Sequence, residues 1–265
     1  MAGEVRPDAA HPDASRPDDW DAHWAQYDAG AARNPAQRWR HRLLLQALAP
    51  AGAPAPVRLL DVGSGQGDFA ALARRAWPAA DILGLELSQT GCRLAAAKVP
   101  DAAFRAVDLL AGAVPEPDRA GRATHAVCSE VLEHVDDPAA LLRAAGAWMA
   151  PGCRLVVTVP GGPMSAFDRH IGHRRHFAPA DLSALLDAAG FAVERADGAG
   201  FPFFNLYRMV VIARGRRLVA DVASGGDAPV SPLAGLVMDL FGRLFALNPS
   251  TGRLGWQVTA VARKR

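Results

Sequence analysis

The chain has 265 residues, 50% of them hydrophobic, and a formal net charge of +2 at pH 7. This length and apolar content suit one domain with a sizeable buried core. The small net charge argues against a nucleic-acid partner, which would require an extended basic surface. The cysteines Cys92, Cys128 and Cys153 form no C-x-x-C pair, which indicates a reducing compartment and gives no sign of a zinc site.

The N-terminal region changes in character after residue 18. Residues 1–18 are rich in Pro, Asp and Ala, and we expect a disordered tail there because they bury too little apolar surface to offset the entropy of ordering. This stretch contains no apolar segment of a signal peptide or membrane anchor, so we expect a cytoplasmic protein. Residues 19–50 predict two helices, the second with Asn34 as its N-cap and Pro35 as its first residue.

The central region, residues 57–200, alternates short apolar runs with helical patterns. Strands that alternate with helices of roughly ten to fifteen residues predict parallel pairing with crossover helices. The sequence therefore predicts an α/β fold with a doubly wound sheet.

The C-terminal region departs from this alternation. Residues 201–255 predict two helices, and residues 256–265 predict a closing strand. The first helix is strongly hydrophobic and ends in Arg214, Arg216 and Arg217, but its apolar run is about half of the ~20 residues that cross a bilayer. The two helices could be ordinary core helices, a homodimer contact or a peripheral contact with a membrane surface. We favour a cover over a small-molecule or lipid-like substrate.

A glycine-rich turn joins the first strand to the first crossover helix in LLDVGSGQGDFA. Gly63, Gly65 and Gly67 let the backbone turn sharply and approach a ligand, next to the free N–H groups of a helix N-terminus. The dinucleotide fingerprint needs a further glycine where this sequence has Asp68. Asp61, just before the turn, favours a cationic ligand, an ammonium or a sulfonium, over a pyrophosphate.

Two further acids follow the next two strands. Glu86 ends the second strand about 20 residues beyond the glycines, where a carboxylate accepts hydrogen bonds from both hydroxyls of a ribose. Asp108 follows the third strand and could accept a hydrogen bond from an adenine amino group. Together with Asp61 these acids predict a site for an adenosine that carries a positive charge. The alternative is an ordinary strand-to-helix turn with solvated loop acids.

With the motifs DVGSGQG, LGLELS, AVDLL and SEVLEHVDDP, the sequence from about Trp20 to Phe191 resembles the class I S-adenosylmethionine-dependent methyltransferases. The resemblance implies a Rossmann-like sheet of seven strands with the last one antiparallel, N-terminal helices that close over the cofactor, and S-adenosylmethionine as that cofactor. Trp24 would contribute to this lid. The implied cofactor contacts are Tyr27, Asp61, Gly63, Ser64, Gly65, Gly67, Glu86, Leu87, Asp108, Leu109 and Ser129.

The segment SEVLEHVDDP follows the fourth strand. If a helix begins near Ser129, then Glu130, Glu133 and His134 share one helical face at the end of the sheet where ligands bind. Two carboxylates and an imidazole are typical ligands of a divalent metal. His170, His173 and His176 lie in the loop after the fifth strand, which returns to the same rim, and one of them could supply the fourth ligand.

The ExxEH pattern also resembles a motif of ubiquinone-pathway O-methyltransferases and of small-RNA 2′-O-methyltransferases, which hold a divalent metal with it. In the small-RNA enzymes a further histidine segment completes the site, and its similarity to GHRRHF implies that His173 is the fourth ligand. A cation would align an acceptor hydroxyl and lower its pKa. Without a metal, His134 or His173 would be the catalytic base. The alternative is a structural segment, with Glu130 at a helix start, Glu133 solvated and His134 packed under a loop.

The sequence therefore predicts an S-adenosylmethionine-dependent methyltransferase that acts on a small-molecule or lipid-like acceptor, at oxygen, with metal assistance. The alternatives are a metal-independent N- or C-methyltransferase and a non-catalytic cofactor-binding protein of the same fold. An RNA methyltransferase that uses the HRRH and RGRR segments is a weaker alternative, because the net charge is small.

Overall fold

The computed structural model describes Trp20, Asp21, Trp24 and residues 34–48, 56–223 and 232–265. The predicted tail at residues 1–18 and the predicted cofactor contact Tyr27 lie outside the described residues.

The core of the molecule is one seven-stranded sheet with the strand order β3-β2-β1-β4-β5-β7-β6. Its strands are β1 (Arg58–Val62), β2 (Asp81–Glu86), β3 (Ala103–Ala106), β4 (Ala123–Ser129), β5 (Met149–Pro160), β6 (Phe191–Ala199) and β7 (Gln257–Lys264). The first five strands pair in parallel, and β7 runs antiparallel between β5 and β6. The predicted doubly wound sheet with an antiparallel last strand is confirmed.

Helices cover both faces of this sheet. They are α1 (Pro35–Leu48), α2 (Asp68–Ala76), α3 (Gln89–Lys98), α4 (Pro138–Ala145), α5 (Ala166–His170), α6 (Pro179–Ala188), α7 (Phe203–Ala223) and α8 (Pro232–Leu244). At the start of α1, the Asn34 side chain accepts a hydrogen bond from the backbone N–H of Ala36 at 3.0 Å, as the predicted N-cap requires. Among the described residues, no helix has both the length and the apolar character needed to cross a bilayer.

The two faces of the sheet have separate hydrophobic cores, because neighbouring strand residues point to opposite sides. Leu59 of β1 packs with Leu44 of α1 and Phe69 of α2. Leu60, the next residue, belongs to the core on the other face with Leu142 of α4 and residues of α6. Strands buried on both faces explain why the sequence shows continuous apolar runs instead of an alternating pattern.

A third, aromatic core joins the N-terminal helix α1 to the helices that precede the last strand. Trp39 of α1 stacks on Phe204 of α7 with ring centroids 5.0 Å apart, and its ring lies 5.7 Å from that of Phe245. Tyr207 and Phe241 complete the cluster with centroids 5.4 Å apart. This core fixes α7 and α8 beside α1, so the predicted helical insertion before β7 is confirmed as a structural element.

The prediction of an α-helix that begins near Ser129 is wrong. Glu130 adopts a left-handed backbone conformation with φ 56°, and a single 3-10 turn follows at Leu132–His134. The next α-helix begins only at Pro138, after Asp137 accepts a hydrogen bond from the N–H of Ala140 at 2.8 Å. An Asp-Pro pair is a helix start signal, and the residue before proline avoids the helical conformation, so the chain cannot be helical throughout this segment.

Candidate functional site

The glycine turn between β1 and α2 holds three left-handed residues, Gly63, Gly65 and Gly67, with φ between 51° and 78°. A side chain at Gly63 would place its Cβ 2.3 Å from Cγ2 of Val131, so the turn can lie against the segment after β4 only with glycine there. A Cβ at Gly67 would lie 2.8 Å from that of Ala95. Gly67 therefore serves the packing of α2 on α3.

Asp61 lies almost fully buried at the end of β1, and its Oδ2 atom has no hydrogen-bond partner among the described residues. Burial, together with the charge of neighbouring Glu86, raises the pKa of Asp61 to about 7. A buried carboxylate oxygen without a donor is costly, and a cation placed beside it would remove that cost. This orphaned oxygen fits the positively charged part of S-adenosylmethionine.

Glu86, at the end of β2, is held by backbone donors. Its Oε2 accepts a hydrogen bond from the N–H of Gly65 at 2.7 Å, and its Oε1 accepts one from Ser88 at 3.0 Å. Burial raises the pKa of Glu86, while these N–H groups act to lower it. The Trp24 side chain and the N–H of Leu87 also act to lower this pKa, so a ribose would share the roughly four acceptor positions of this carboxylate with donors of the protein.

A cavity of about 150 Å³, called here the rim cleft, lies along the ends of β1, β2 and β4. Glu86, Leu87, Asp108 and Leu109 line it together with apolar side chains such as Leu141. The Oδ1 atom of Asp108 accepts from the N–H groups of residues 110 and 111, which fixes the loop after β3. A largely apolar slot that includes the carboxylates of Glu86 and Asp108 suits a nucleoside.

A second cavity of about 500 Å³, the central cavity, adjoins the rim cleft. It extends between α1, α5, α7 and the glycine turn, and includes the predicted cofactor residues Asp61, Gly63, Ser64, Gly65 and Ser129. Within the described part of the chain, the residues that line both cavities are Trp20, Trp24, Gly63, Glu130 and His134. The two cavities thus meet at the ExxEH segment. Gly67 lines neither of them.

Three of the four predicted metal-ligating residues lie together at this junction. Oε1 of Glu133 lies 4.0 Å from Nε2 of His134 and 3.9 Å from Nε2 of His173. The two imidazole rings are perpendicular, with centroids 4.7 Å apart. Glu133, His134 and His173 can each point one ligand atom at a common centre, since these atoms lie within 4.8 Å of one another.

Glu130, the fourth predicted ligand, lies outside this group. Its Oε1 accepts a hydrogen bond from Nε2 of Gln257 at 2.9 Å, and its Oε2 lies 3.6 Å from Nε of Arg40. The left-handed backbone at Glu130 turns its side chain away from that of Glu133, which an α-helix would have kept on the same face. Glu130 instead connects β4 to β7 and α1.

The environment of Glu133 favours a bound cation. The residue is fully buried, and neither carboxylate oxygen has a hydrogen-bond partner among the described residues. Burial, with the charge of Glu130, raises the pKa of Glu133 well above its ordinary value. Burial and the nearby His134 lower the pKa of His173 to about 3. A carboxylate and two imidazoles match the ligand preference of a small divalent ion, so these residues fit one.

His176, which the sequence analysis did not single out, orients His173. Its Nδ1 lies 3.0 Å from the backbone carbonyl oxygen of Gly162, and its Nε2 lies 3.4 Å from Nδ1 of His173. A carbonyl only accepts, so the neutral His176 ring carries its proton on Nδ1 and accepts from Nδ1–H of His173. The Nε2 lone pair of His173 then faces Glu133. The H-x-x-H spacing in GHRRHF was the sequence pattern that could have identified His176 as a partner of His173.

Asp168 was also missed. The carboxylate accepts two hydrogen bonds from Arg208 at 3.0 and 2.7 Å, and it forms a capping box with Ser165 at the start of α5. Although burial alone would raise the pKa of Asp168, the Arg208 guanidinium lowers it to about 2. Because both oxygens are engaged, Asp168 anchors α5 to α7 and is a poor metal ligand. The S-x-x-D pattern of a capping box was its signal in the sequence.

Comparison with known proteins gives the family. Residues 32–196, more than half of the chain, match the family model described as a methyltransferase domain. The ubiquinone biosynthesis O-methyltransferase of Xanthomonas axonopodis pv. citri (strain 306) is 29% identical over 208 residues, which cover 72% of this chain and 82% of that protein. The trans-aconitate 2-methyltransferase of Mycobacterium sp. (strain KMS) is 32% identical over 174 residues, with 58% of this chain and 66% of that protein covered.

Solved structures share the fold at low sequence identity. A phosphoethanolamine N-methyltransferase 2 of Haemonchus contortus in complex with S-adenosyl-L-methionine has a TM-score of 0.59 at 15% identity, covering 92% of this chain and 57% of that chain. A geranyl diphosphate C-methyltransferase of Streptomyces coelicolor A3(2) has a TM-score of 0.54 at 14% identity, covering 86% and 78%. The match to the family model, on the confirmed sheet, shows that the chain belongs to the methyltransferase domain family and is a class I S-adenosylmethionine-dependent methyltransferase.

Proposed function

We propose that the protein transfers the methyl group of S-adenosylmethionine to an oxygen atom of a small-molecule acceptor. The observation that supports this most directly is the position of His134, which lines both the rim cleft and the central cavity beside Glu133 and His173. The names of the relatives, an O-methyltransferase of ubiquinone biosynthesis and a trans-aconitate methyltransferase, also support a small-molecule acceptor.

The cofactor would lie across the two cavities. Its adenine and ribose would occupy the rim cleft, between Asp108 and Glu86, with Leu87 and Leu109 against the rings. Its charged part would lie at the glycine turn, where the orphaned oxygen of Asp61 would stabilise the sulfonium and ammonium. This arrangement directs the methyl group toward the junction of the two cavities.

Methyl transfer is an in-line displacement, in which an oxygen–carbon bond forms as the sulfur–carbon bond breaks. The products are the methylated acceptor and S-adenosylhomocysteine. A hydroxyl acceptor must also lose its proton, and the imidazole of His134 or of His173 at the junction would accept it and pass it to water. Trp20 and Trp24, which line both cavities, would limit the entry of water.

Glu133, His134 and His173 would also hold one divalent cation, because their ligand atoms converge and no described residue donates a hydrogen bond to either Glu133 oxygen. Such an ion would act as a Lewis acid that lowers the pKa of an acceptor hydroxyl. Through its hydrogen bond, His176 would favour the tautomer of His173 in which Nε2 is unprotonated. His173 needs an unprotonated Nε2 both as a proton acceptor and as a metal ligand.

The test is a transfer assay with S-adenosylmethionine labelled in its methyl group, the full chain and fractionated small-molecule extract. We expect labelled product with the NMR shifts of a methoxy group, and release of S-adenosylhomocysteine in equal amount. His173→Asn should lose transfer, whereas His170→Asn, an exposed histidine of the same segment, should keep it. Label on nitrogen or carbon, or equal activity of the two variants, would contradict the proposal.

A further inference from the structure

Two arginines line the central cavity within the described part of the chain, Arg40 of α1 and Arg208 of α7. Arg208 is committed to both oxygens of Asp168. The Arg40 guanidinium makes no hydrogen bond to any described residue, and its ion pair with Glu130 has a distance of 3.6 Å between Nε and Oε2. Arg40 is nevertheless largely buried, with 17% of its side chain exposed. Apart from this ion pair, no described residue takes up the donors of Arg40, which remain available to a ligand in the cavity.

Glu130 cannot satisfy these donors. One of its oxygens accepts from Gln257, and the other lies beyond hydrogen-bonding distance of Nε of Arg40. A guanidinium presents five N–H donors in a planar fork, and leaving them unpaired in a partly buried site costs free energy. The planar fork matches a carboxylate, with two parallel hydrogen bonds. An anionic ligand at Arg40 would thus complete an incomplete set of contacts.

The surroundings of Arg40 are apolar on the side of α7. Phe204, Tyr207 and Val211 line the cavity there, and Phe167 and Trp256 line it nearby. Burial raises the pKa of Tyr207 while the charges of Arg40 and Arg208 act to lower it, which indicates that the phenol lies near both guanidiniums. A ligand in this part of the cavity would therefore combine one anionic group with an apolar or aromatic body.

The cofactor has its own carboxylate, but other groups are available to its amino-acid end. The Ser64 hydroxyl, buried at the glycine turn without a hydrogen-bond partner among the described residues, can donate to a carboxylate, and the equally unpartnered Oε1 of Gln66 can accept from the ammonium. Both residues line the central cavity, next to Asp61. Arg40 instead contacts Glu130 after β4 and lies toward the insertion, on the side proposed for the acceptor.

We infer that Arg40 binds a carboxylate of the methyl acceptor, so that the acceptor is a carboxylic acid with an apolar or aromatic body. The inference rests on the proposed function, since it concerns the acceptor part of that same site. Binding through Arg40 would fix one end of the acceptor and present its oxygen nucleophile at the junction beside His134.

Calorimetry on the full chain saturated with S-adenosylhomocysteine tests this inference. The probes are three pairs of hydroxylated benzoates, cinnamates and phenylacetates with their uncharged primary amides. We expect at least one acid to bind roughly tenfold more tightly than its amide, because a charged pair replaces a neutral contact. Arg40→Met should abolish that preference. Arg42→Met, an exposed arginine of the same helix, is the matched control and should retain it.

The results of this experiment distinguish two roles of Arg40, binding of the acceptor carboxylate and binding of the cofactor carboxylate. If Arg40→Met weakens binding of S-adenosylhomocysteine about tenfold and leaves the acid preference unchanged, Arg40 serves the cofactor carboxylate and the inference is overturned. The absence of any acid preference in the unmodified chain overturns it as well. Failure of S-adenosylhomocysteine to bind the unmodified chain would instead refute the proposed function, and the inference with it.

Discussion

The rim cleft and the central cavity are built in different ways, although they share one wall. The rim cleft is made by the ends of neighbouring parallel strands, and its carboxylate Glu86 is fixed by backbone N–H groups of the same region. The central cavity is assembled from segments far apart in the sequence: the glycine turn, α1, the turn after β4, the loop that contains α5, α7 and the start of β7. Contacts between side chains far apart in the sequence hold it in shape, such as the hydrogen bond of Gln257 to Glu130.

This difference indicates which part of the site can change without loss of the fold. The rim cleft depends on backbone geometry that the sheet imposes, so it suits a cofactor used by many members of the family. The central cavity depends on individual side chains and on helices outside the sheet, so it suits the acceptor, which differs between the relatives named above. Substitutions should therefore affect cofactor binding and acceptor turnover separately.

The largest expected effect is on the acceptor side. Glu133→Gln should lower methyl transfer about 10²-fold or more, because it removes the carboxylate beside both imidazoles. The dissociation constant of S-adenosylhomocysteine should stay unchanged. In a chelator, the melting temperature of this variant should rise, since a buried carboxylate without partners is replaced by an uncharged amide. A parallel loss of cofactor affinity would contradict the separation of the two regions.

Gly63→Ala should affect the cofactor side. The left-handed backbone and the approach of Val131 leave no room for a side chain, so the turn must shift. We expect affinity for S-adenosylhomocysteine to fall by about 10²-fold, measured by calorimetry. Gly112→Ala is the matched control, because Gly112 also has a positive φ but a Cβ there meets no atom within 4 Å. Equal effects of the two variants would show that backbone strain alone is responsible.

His176→Ala should have an intermediate effect, about ten- to hundredfold on transfer, as expected for a residue that positions a functional histidine. Its cofactor affinity should not change. Nitrogen-15 NMR of the ring nitrogens should show that His173 loses its Nδ1–H preference, a result that a general loss of stability would not produce. The exposed His170, replaced in the same way, should leave the spectrum of His173 as it was.

The smallest effect is a dependence of cofactor affinity on pH. The raised pKa of Asp61, about 7, means that in the free protein this carboxyl binds a proton more readily than an exposed one. A cationic cofactor requires the carboxylate, so a proton must leave on binding, and affinity should fall as the pH decreases below 7. The limit is tenfold for each pH unit. Calorimetry between about pH 5.5 and about pH 8 measures this dependence of affinity on pH on both sides of the pKa. The Asp61→Asn variant should show no such dependence.

The sequence predicted the cofactor residues at the strand ends better than the rest of the central cavity, for a physical reason. Glycine turns and strand-end acids follow the alternation of strands and helices, so Asp61, Gly63, Glu86 and Asp108 could be placed from local patterns. Gly67 was the exception among the predicted cofactor residues, because it lines neither cavity. A Cβ at this position would lie closest to Ala95 in another helix. That packing depends on how two helices meet and has no local signal.

The central cavity was predicted only in part. Glu133, His134 and His173 lie together as expected, but for a different local reason, because a 3-10 turn replaces the predicted helix. Glu130 was misassigned because its hydrogen-bond partner, Gln257, is 127 residues away in the chain. Arg40 belongs to an ordinary helical pattern, and only the packing of α1 beside α7 reveals that its side chain lines a cavity.

The ion pair of Asp168 with Arg208 has a consequence for how the acceptor enters. It ties α5, at the start of the histidine loop, to α7, which borders the central cavity, through two charge-assisted hydrogen bonds. We expect α5 and α7 to move together as one unit when the acceptor enters, and His173 to move with them. Hydrogen exchange that protects both helices to the same extent would support this coupling. If α5 and α7 open in this way to admit the acceptor, His173 would change its position at the reaction centre with each opening.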